Sequence, residues 1–120
     1  MSLVARHLEA NGIPTVVVGS AKDIVEFAAV PRFLFVDFPL GNPMGLPHDR
    51  AMQFEIAKQA VTLLGRAEAP ETTERAPYEW PGPEGWRAVY NRVTDENREE
   101  LRAVGEQRRA YRGALPKRTV

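Results

Sequence analysis

Polar side chains that could bind a ligand or move a proton follow two apolar runs of this sequence. Ser20 directly follows the first run, and Asp37, Asn42 and His48 follow the second. In an open parallel sheet, ligands bind outside the carboxyl ends of the strands. We therefore predict a ligand-binding site where these runs end, with the loop residues Pro39 and Gly41 shaping it. The full predicted set is Ser20, Asp37, Pro39, Gly41, Asn42 and His48.

Each of these residues also has a structural interpretation. Asp37 could bind a ligand, orient His48, or accept hydrogen bonds from N–H groups of the loop. His48 could donate a proton to a substrate or lie in solvent at a helix start. His7 has no second histidine or carboxylate at metal-ligand spacing. The whole stretch could equally be a tight strand-to-helix turn that binds nothing.

Several kinds of catalytic site are absent from the sequence. Gly19-Ser20 lacks the glycine pattern of a nucleophile elbow, and the spacing of Gly41 and Gly45 lacks the Gly-Lys-Ser/Thr ending of a phosphate loop. With no cysteine, thiolate metal sites and a cysteine nucleophile are excluded. We predict no catalytic residue, metal or cofactor, and a hydrolase using Ser20 would need His48 within hydrogen-bonding reach.

The elements that position these residues follow from the apolar pattern. The run 33–36 lies between Pro31 and Pro39, which is typical of a strand buried on both faces. A second strand is predicted over 13–18, and helices over 3–10, 21–28 and 49–64, the last closed by Gly65. The order predicts an α/β fold with a small, partial parallel sheet flanked by helices, like half of a Rossmann or flavodoxin domain.

Composition divides the chain into three predicted parts: an α/β domain over 1–65, a Pro/Gly-rich linker over 66–85, and a helical extension over 86–120. Tyr78, Trp80 and Trp86 interrupt the polar stretch, and such aromatic residues are expected to anchor it in grooves of its own domain or of another chain, with its own domain favoured. The last helix is predicted from Thr94 to about Arg112.

Charge argues against nucleic acid as a partner. The net charge is zero, although residues 1–86 carry 7 basic and 11 acidic side chains and residues 87–120 carry 9 and 5. The basic residues of the tail are interrupted by Tyr111 and Pro116, which suits solvation or internal pairing. No apolar run reaches the ~20 residues that span a bilayer, and no signal peptide is evident, so a cytoplasmic location is expected.

Three segments together resemble a known family. They are LVARHLEANGIPTV at 3–16, VPR at 30–32 and FPLGNP at 38–43. They are similar to the C-terminal end of the B subunit of the glycine, sarcosine, betaine and D-proline reductases, and to short stand-alone proteins related to that selenoprotein subunit. The resemblance covers roughly 3–64 and leaves 65–120 uncovered.

The resemblance implies a scaffold without its reactive group. In that family a selenocysteine or cysteine, in a U/C-x-x-C type motif just before the helix that corresponds to 3–10, carries out reductive cleavage of a carbon–nitrogen bond. This sequence begins within that helix and has no cysteine, so no catalytic residue carries over. Only the family's loop does, as Pro39, Leu40, Gly41, Asn42 and Pro43.

Two functions remain open. The first is a truncated or split reductase-B-like domain that is inactive by itself. The second is a non-enzymatic interaction subunit that dimerises or completes a partner's active site. Either a second copy or a partner chain supplying the redox motif is expected. A truncated enzyme would leave an apolar sheet edge exposed, whereas an evolved binding protein would cover that edge, for instance with 66–85.

Overall fold

The computed structural model describes residues 1–90 and 92–114, which fall into two compact units that divide between Pro83 and Glu84. The first unit contains three helices and three strands. In chain order they are α1 (Ser2–Ala10), β1 (Val17–Gly19), α2 (Lys22–Phe27), β2 (Arg32–Phe35), α3 (Arg50–Arg66) and β3 (Thr72–Arg75).

The three strands form one parallel sheet in the order β1-β2-β3. Val18 lies opposite Leu34, which lies opposite Glu74. This confirms the predicted α/β class: a small parallel sheet with helices packed against it, followed by a C-terminal helix.

The central strand β2 is buried on both faces, as its unbroken apolar run predicts. Leu34 of β2 and Val36, the residue after the strand, pack with Ile56 of α3, while Phe33 packs with Val25 of α2. Because successive side chains of a strand point to opposite faces, α3 covers one side of the sheet and α2 the other. The α3 side holds the larger core, completed by Phe38, Ala60, Leu63 and Ala76.

The prediction of an uninterrupted linker over 66–85 was wrong about its first half, because β3 lies there. Its sequence, Thr-Thr-Glu-Arg, has no apolar pattern, and its strand conformation depends on the ladder to β2. After β3, Tyr78 and Trp80 pack against the core on the α3 side, and the Trp80 ring meets Phe38 edge to face at 5.2 Å. These two aromatic residues therefore anchor the segment in its own domain, as predicted.

The helices of the first unit begin close to the predicted positions. Asp49 caps α3, its carboxylate accepting a hydrogen bond from the Met52 N–H at 3.0 Å. Gly65 does not end this helix, which continues to Arg66. The first strand is shorter than predicted, because the ladder to β2 begins only at Val17.

The apolar side chains of α1 are unequally covered. Ala5 is buried and Leu8 is half-buried, whereas Leu3 is 74% and Val4 53% exposed. Polar contacts also hold the helix, because the Thr15 hydroxyl donates to the Ala5 carbonyl at 3.0 Å and Glu9 accepts from Arg32 at 2.8 Å. Leu3 and Val4 consequently remain largely uncovered by the first unit.

The second unit contains α4 (Trp86–Val89) and α5 (Arg98–Ala114). Trp86 meets Tyr90 edge to face at 5.8 Å. The last helix begins four residues later than predicted, after a turn in which Thr94 and Asn97 exchange side-chain-to-backbone hydrogen bonds of 2.8 and 3.3 Å. Among the described residues, no helix combines the length and apolar character needed to cross a membrane.

Candidate functional site

The loop after β2 is built from two successive turns that use the predicted residues for its own shape. The Asn42 N–H donates to the Pro39 carbonyl at 3.1 Å, and the Gly45 N–H donates to the Asn42 carbonyl at 3.2 Å. The Asn42 side-chain amide also points back to the Pro39 carbonyl at 3.5 Å. Pro39 is buried, and Gly41 is exposed with a φ of +99°. These three residues therefore act first as turn formers.

Asp37 forms an ion pair that its sequence context did not indicate. One of its carboxylate oxygens lies 2.9 Å from a guanidinium nitrogen of Arg75 on β3, and only 18% of the side chain is exposed. The backbone turns sharply here, since the Phe38 N–H donates to the Val36 carbonyl at 2.8 Å. Asp37 thus ties the end of β2 to β3.

Ser20 and His48 are not brought together. The Ser20 hydroxyl is buried and has no hydrogen-bond partner in the described part of the chain. His48 is exposed, with a left-handed φ of +65°. A hydrolase based on this pair would require a hydrogen bond between them, so the arrangement does not support that chemistry.

A cavity lies at the carboxyl end of β3, at the edge of the sheet where the sequence predicts a ligand-binding site. The cavity at this end of β3 has a volume of about 340 Å³ and is lined by Arg75, Ala76, Pro77, Tyr78 and Glu79. None of the six predicted residues lines it. Within residues 1–90 and 92–114, no group of three or more histidine, aspartate or glutamate side chains could hold a metal ion.

A polar network at the opposite, amino end of the sheet escaped sequence reasoning. Arg32, the first residue of β2, donates to Glu9 of α1 at 2.8 Å and to the Thr15 carbonyl at 3.4 Å. The other Glu9 oxygen accepts from the Thr15 N–H at 2.7 Å and lies 3.2 Å from the Thr15 hydroxyl, whose single proton it shares with the Ala5 carbonyl. This network fastens α1 to the sheet beside a cavity of about 510 Å³.

The Arg32 guanidinium lowers the pKa of Glu9 through its hydrogen bond, and the two bonds from Thr15 act in the same direction against partial desolvation. Since the folded pKa lies below the ordinary value of about 4.3, the ionised carboxylate stabilises the fold above that pH. This stabilisation is lost as the pH falls through the lowered folded pKa.

We expect a Glu9→Gln variant to be less stable than wild type at neutral pH, and the difference in free energy of unfolding to shrink as the pH falls below about 4. Urea denaturation at a series of pH values measures this difference. Glu55→Gln is the matched control, because among the described residues the only ion pair of Glu55 is with the exposed Lys58. A difference for Glu9→Gln that stayed constant down to strongly acidic pH would contradict the role of its charge.

The outer edge of β1 is a second candidate functional feature of the structure. In a parallel ladder, the N–H and C=O of one residue point to the same side, and the side alternates along the strand. The Gly19 carbonyl accepts from the Val36 N–H at 2.9 Å, so Gly19 and Val17 face β2. The backbone groups of Val18, the middle residue of β1, consequently face away from the sheet.

The two outer edges of the sheet differ in charge. No charged residue lies between Ile13 and Ser20, whereas β3 carries Glu74 and Arg75. Those charges are engaged, Glu74 with Arg66 of α3 and Arg75 with Asp37. Natural proteins protect edge strands from pairing with charged side chains, and only the β3 edge has this protection.

Apolar side chains without cover accompany the β1 edge. Leu3, Val4 and Ile13, which lie on α1 and on the segment leading into β1, are more than half exposed. On α2, the helix that follows β1, Ile24 is 66% and Phe27 94% exposed. Exposed apolar patches are typical of interaction surfaces, and these five side chains are candidates for one.

No family model, curated protein or solved structure matches the chain.

Proposed function

We propose that this chain is a non-catalytic binding subunit, built on a reductase-B-like scaffold, whose β1 edge receives a strand from another chain. The observation that carries the proposal is the outer edge of β1, where the backbone groups of Val18 point outward from the uncharged segment 13–20. Unpaired strand edges without charge are templates for strand addition.

The chemistry of the chain supports binding over catalysis. Asp37 is engaged with Arg75, Asn42 shapes its own turn, and Ser20 has no hydrogen-bond partner among the described residues. No cysteine is present to act as the nucleophile that the reductase resemblance implies. A role in an assembly therefore accounts for more of the molecule than a role in chemistry.

The two sheet edges bear on the alternatives raised by the sequence. Part of the predicted linker forms β3, which pairs with one edge of β2. An evolved binding protein would be expected to cover an edge in this way. The outer edge of β1 is apolar and has no strand paired with it among the described residues, as expected of a partial reductase scaffold.

The reductase resemblance supplies a second candidate for the added strand. In that family the strand with the redox motif directly precedes the helix corresponding to α1. Both sides of β2 are occupied, so such a strand would pair in parallel with β1 and approach the exposed Leu3 and Val4. In this version a partner chain supplies the thiol or selenol, and this chain supplies the loop 38–43.

A strand-addition assay tests the proposed function. A fluorescent peptide with the sequence of Ile13–Ser20 is titrated with dilute wild-type chain and with Val18→Pro, and binding is followed by anisotropy. Proline removes the outward N–H of Val18 and clashes with an added strand, while leaving the bonds of Val17 and Gly19 to β2 in place. We expect wild type to bind the peptide and Val18→Pro to bind it about 100-fold more weakly.

Thr73→Pro is the matched control at the other edge. The Thr72 and Ala76 N–H groups donate to β2, so the N–H of Thr73 faces outward as that of Val18 does. This variant should bind the peptide like wild type. Circular dichroism establishes that both variants are folded, and protection of the Val18 amide on peptide binding to wild type gives a readout without substitution. Absence of binding to wild type, or equal binding by both variants, would refute strand addition at β1.

A further inference from the structure

We infer that the strand received at the β1 edge is β1 of a second copy of this chain, paired antiparallel about a two-fold axis that passes beside Val18. The inference rests on the proposed function and names its partner. A two-fold axis relating two copies of one strand makes the pair antiparallel and each contact reciprocal. The result would be a six-stranded sheet that continues from β3 of one copy to β3 of the other.

The backbone of β1 is suited to this register. Val18 is the residue of β1 whose N–H and C=O groups face outward, and the two-fold axis sets it opposite its own copy. In an antiparallel ladder, such residues form the hydrogen-bonded pairs, in which both N–H···O bonds are exchanged. The register therefore satisfies the outward groups of Val18 in both copies and places Val16 opposite the second copy's Ser20.

The side chains of this segment are also compatible with a two-fold axis beside Val18. A two-fold places the central residue against itself, so a charged residue there would meet a like charge at short range. The segment Ile13–Ser20 contains none, and Val17 would lie opposite the small Gly19 of the second copy. The first charged residue, Lys22, would lie opposite Pro14.

The β3 edge is less suited to self-pairing. An axis beside Glu74 or Arg75 would place that residue opposite its own copy, and both are committed to ion pairs within the chain. The zero net charge of the whole chain adds no long-range repulsion between copies. A second copy consequently meets its fewest electrostatic obstacles at β1.

The absence of cysteine allows a direct test of this register. Val18→Cys is nearly isosteric, and directly opposed residues of a hydrogen-bonded antiparallel pair have Cα atoms about 5.5 Å apart, within the range of a disulfide. Under mild oxidation we expect Val18→Cys to form a covalent dimer in high yield. Thr73→Cys, on the other edge, should remain largely monomeric on a denaturing gel.

Wild-type chain supplies the second measurement. Light scattering over a concentration series should give twice the chain mass at high concentration, and the Val18 amide should become protected from hydrogen exchange as the dimer forms, while Val17 stays protected throughout. Because both copies carry the substitution, Val18→Pro should shift the midpoint of dimerisation by well over about 100-fold to higher concentration.

The outcomes separate this inference from the proposed function. A wild-type chain that remains monomeric, or a Val18→Cys variant that does not cross-link, would overturn the second-copy partner. If the peptide assay nevertheless showed binding abolished by Val18→Pro, strand addition at β1 would stand with a different chain as its source. If Val18→Pro affected neither peptide binding nor dimerisation, both would fail.

Discussion

Replacing Ile56 by alanine should lower the free energy of unfolding by about 3 to 4 kcal/mol. Ile56 has no exposed surface and lies where α3 packs on Leu34 and Val36 of β2. Truncation removes buried methyl and methylene groups and leaves a cavity between a helix and a sheet, neither of which can collapse onto it. Urea denaturation followed by circular dichroism measures the loss as a lower midpoint at an unchanged slope.

Val61→Ala is the matched control for this prediction. Val61 lies on the same helix and is 69% exposed, so its truncation removes little buried surface. We expect a change of less than about 0.5 kcal/mol. Comparable losses for the two variants would mean that α3 does not present the Ile56 side to the sheet, and the described core would be wrong.

The features of the fold that were predictable are those encoded locally. The apolar run before Asp37 specifies a strand buried on both faces, and Asp49 specifies the start of α3 through a bond to a residue three positions away. The strand β3 carries no such signal. It exists because β2 offers an unpaired edge and because Arg66 and Asp37 provide partners for its charged side chains.

The exposure of α1 shows a second limit of local patterns. Its spacing of apolar residues indicates an amphipathic helix, but spacing does not reveal whether a surface is present to cover it. In the described first unit, contacts of Glu9 and Thr15 hold the helix, and Leu3 remains exposed. If a strand is added at β1, this side of the helix is the first candidate for burial.

The Glu9–Arg32 network and the β1 edge could not be predicted from the sequence, because both depend on which residues the folded sheet brings together. Glu9 and Arg32 are 23 positions apart, so no spacing rule connects them. The uncharged segment 13–18 was recognisable as a strand, but the direction of the Val18 backbone groups follows only once Gly19 is known to bond with Val36. The Pro-Leu-Gly-Asn-Pro loop forms turns, as its sequence indicates. Its prolines, glycine and asparagine are accounted for by these turns, so the loop geometry by itself does not call for the ligand that the sequence analysis predicted.

Replacing Gly45 by alanine should destabilise the protein by about 2 to 3 kcal/mol, through two separable effects. Gly45 has a φ of +99°, which other residues adopt at a cost. A Cβ there would also lie 3.0 Å from Cγ and Sδ of Met52 and 3.2 Å from Cδ1 of Ile56. Denaturation by urea gives the total.

Gly41→Ala isolates the backbone effect. Gly41 has the same φ of +99°, but a Cβ at this position would meet no atom within 4 Å. This variant should lose only about 1 kcal/mol, so the difference between the two variants measures the steric contacts at Gly45.

A double variant then identifies which neighbour resists. Met52 is flexible and half-buried, whereas Ile56 is fixed in the core. If the clash with Met52 dominates, Met52→Ala should cost less in the Gly45→Ala background than in wild type, because it removes the contacting atoms. If the two losses simply add, the resistance comes from Ile56, and the loop is held directly against the core that α3 forms with β2. Equal losses for Gly45→Ala and Gly41→Ala would instead mean that this close approach of loop and helix does not exist.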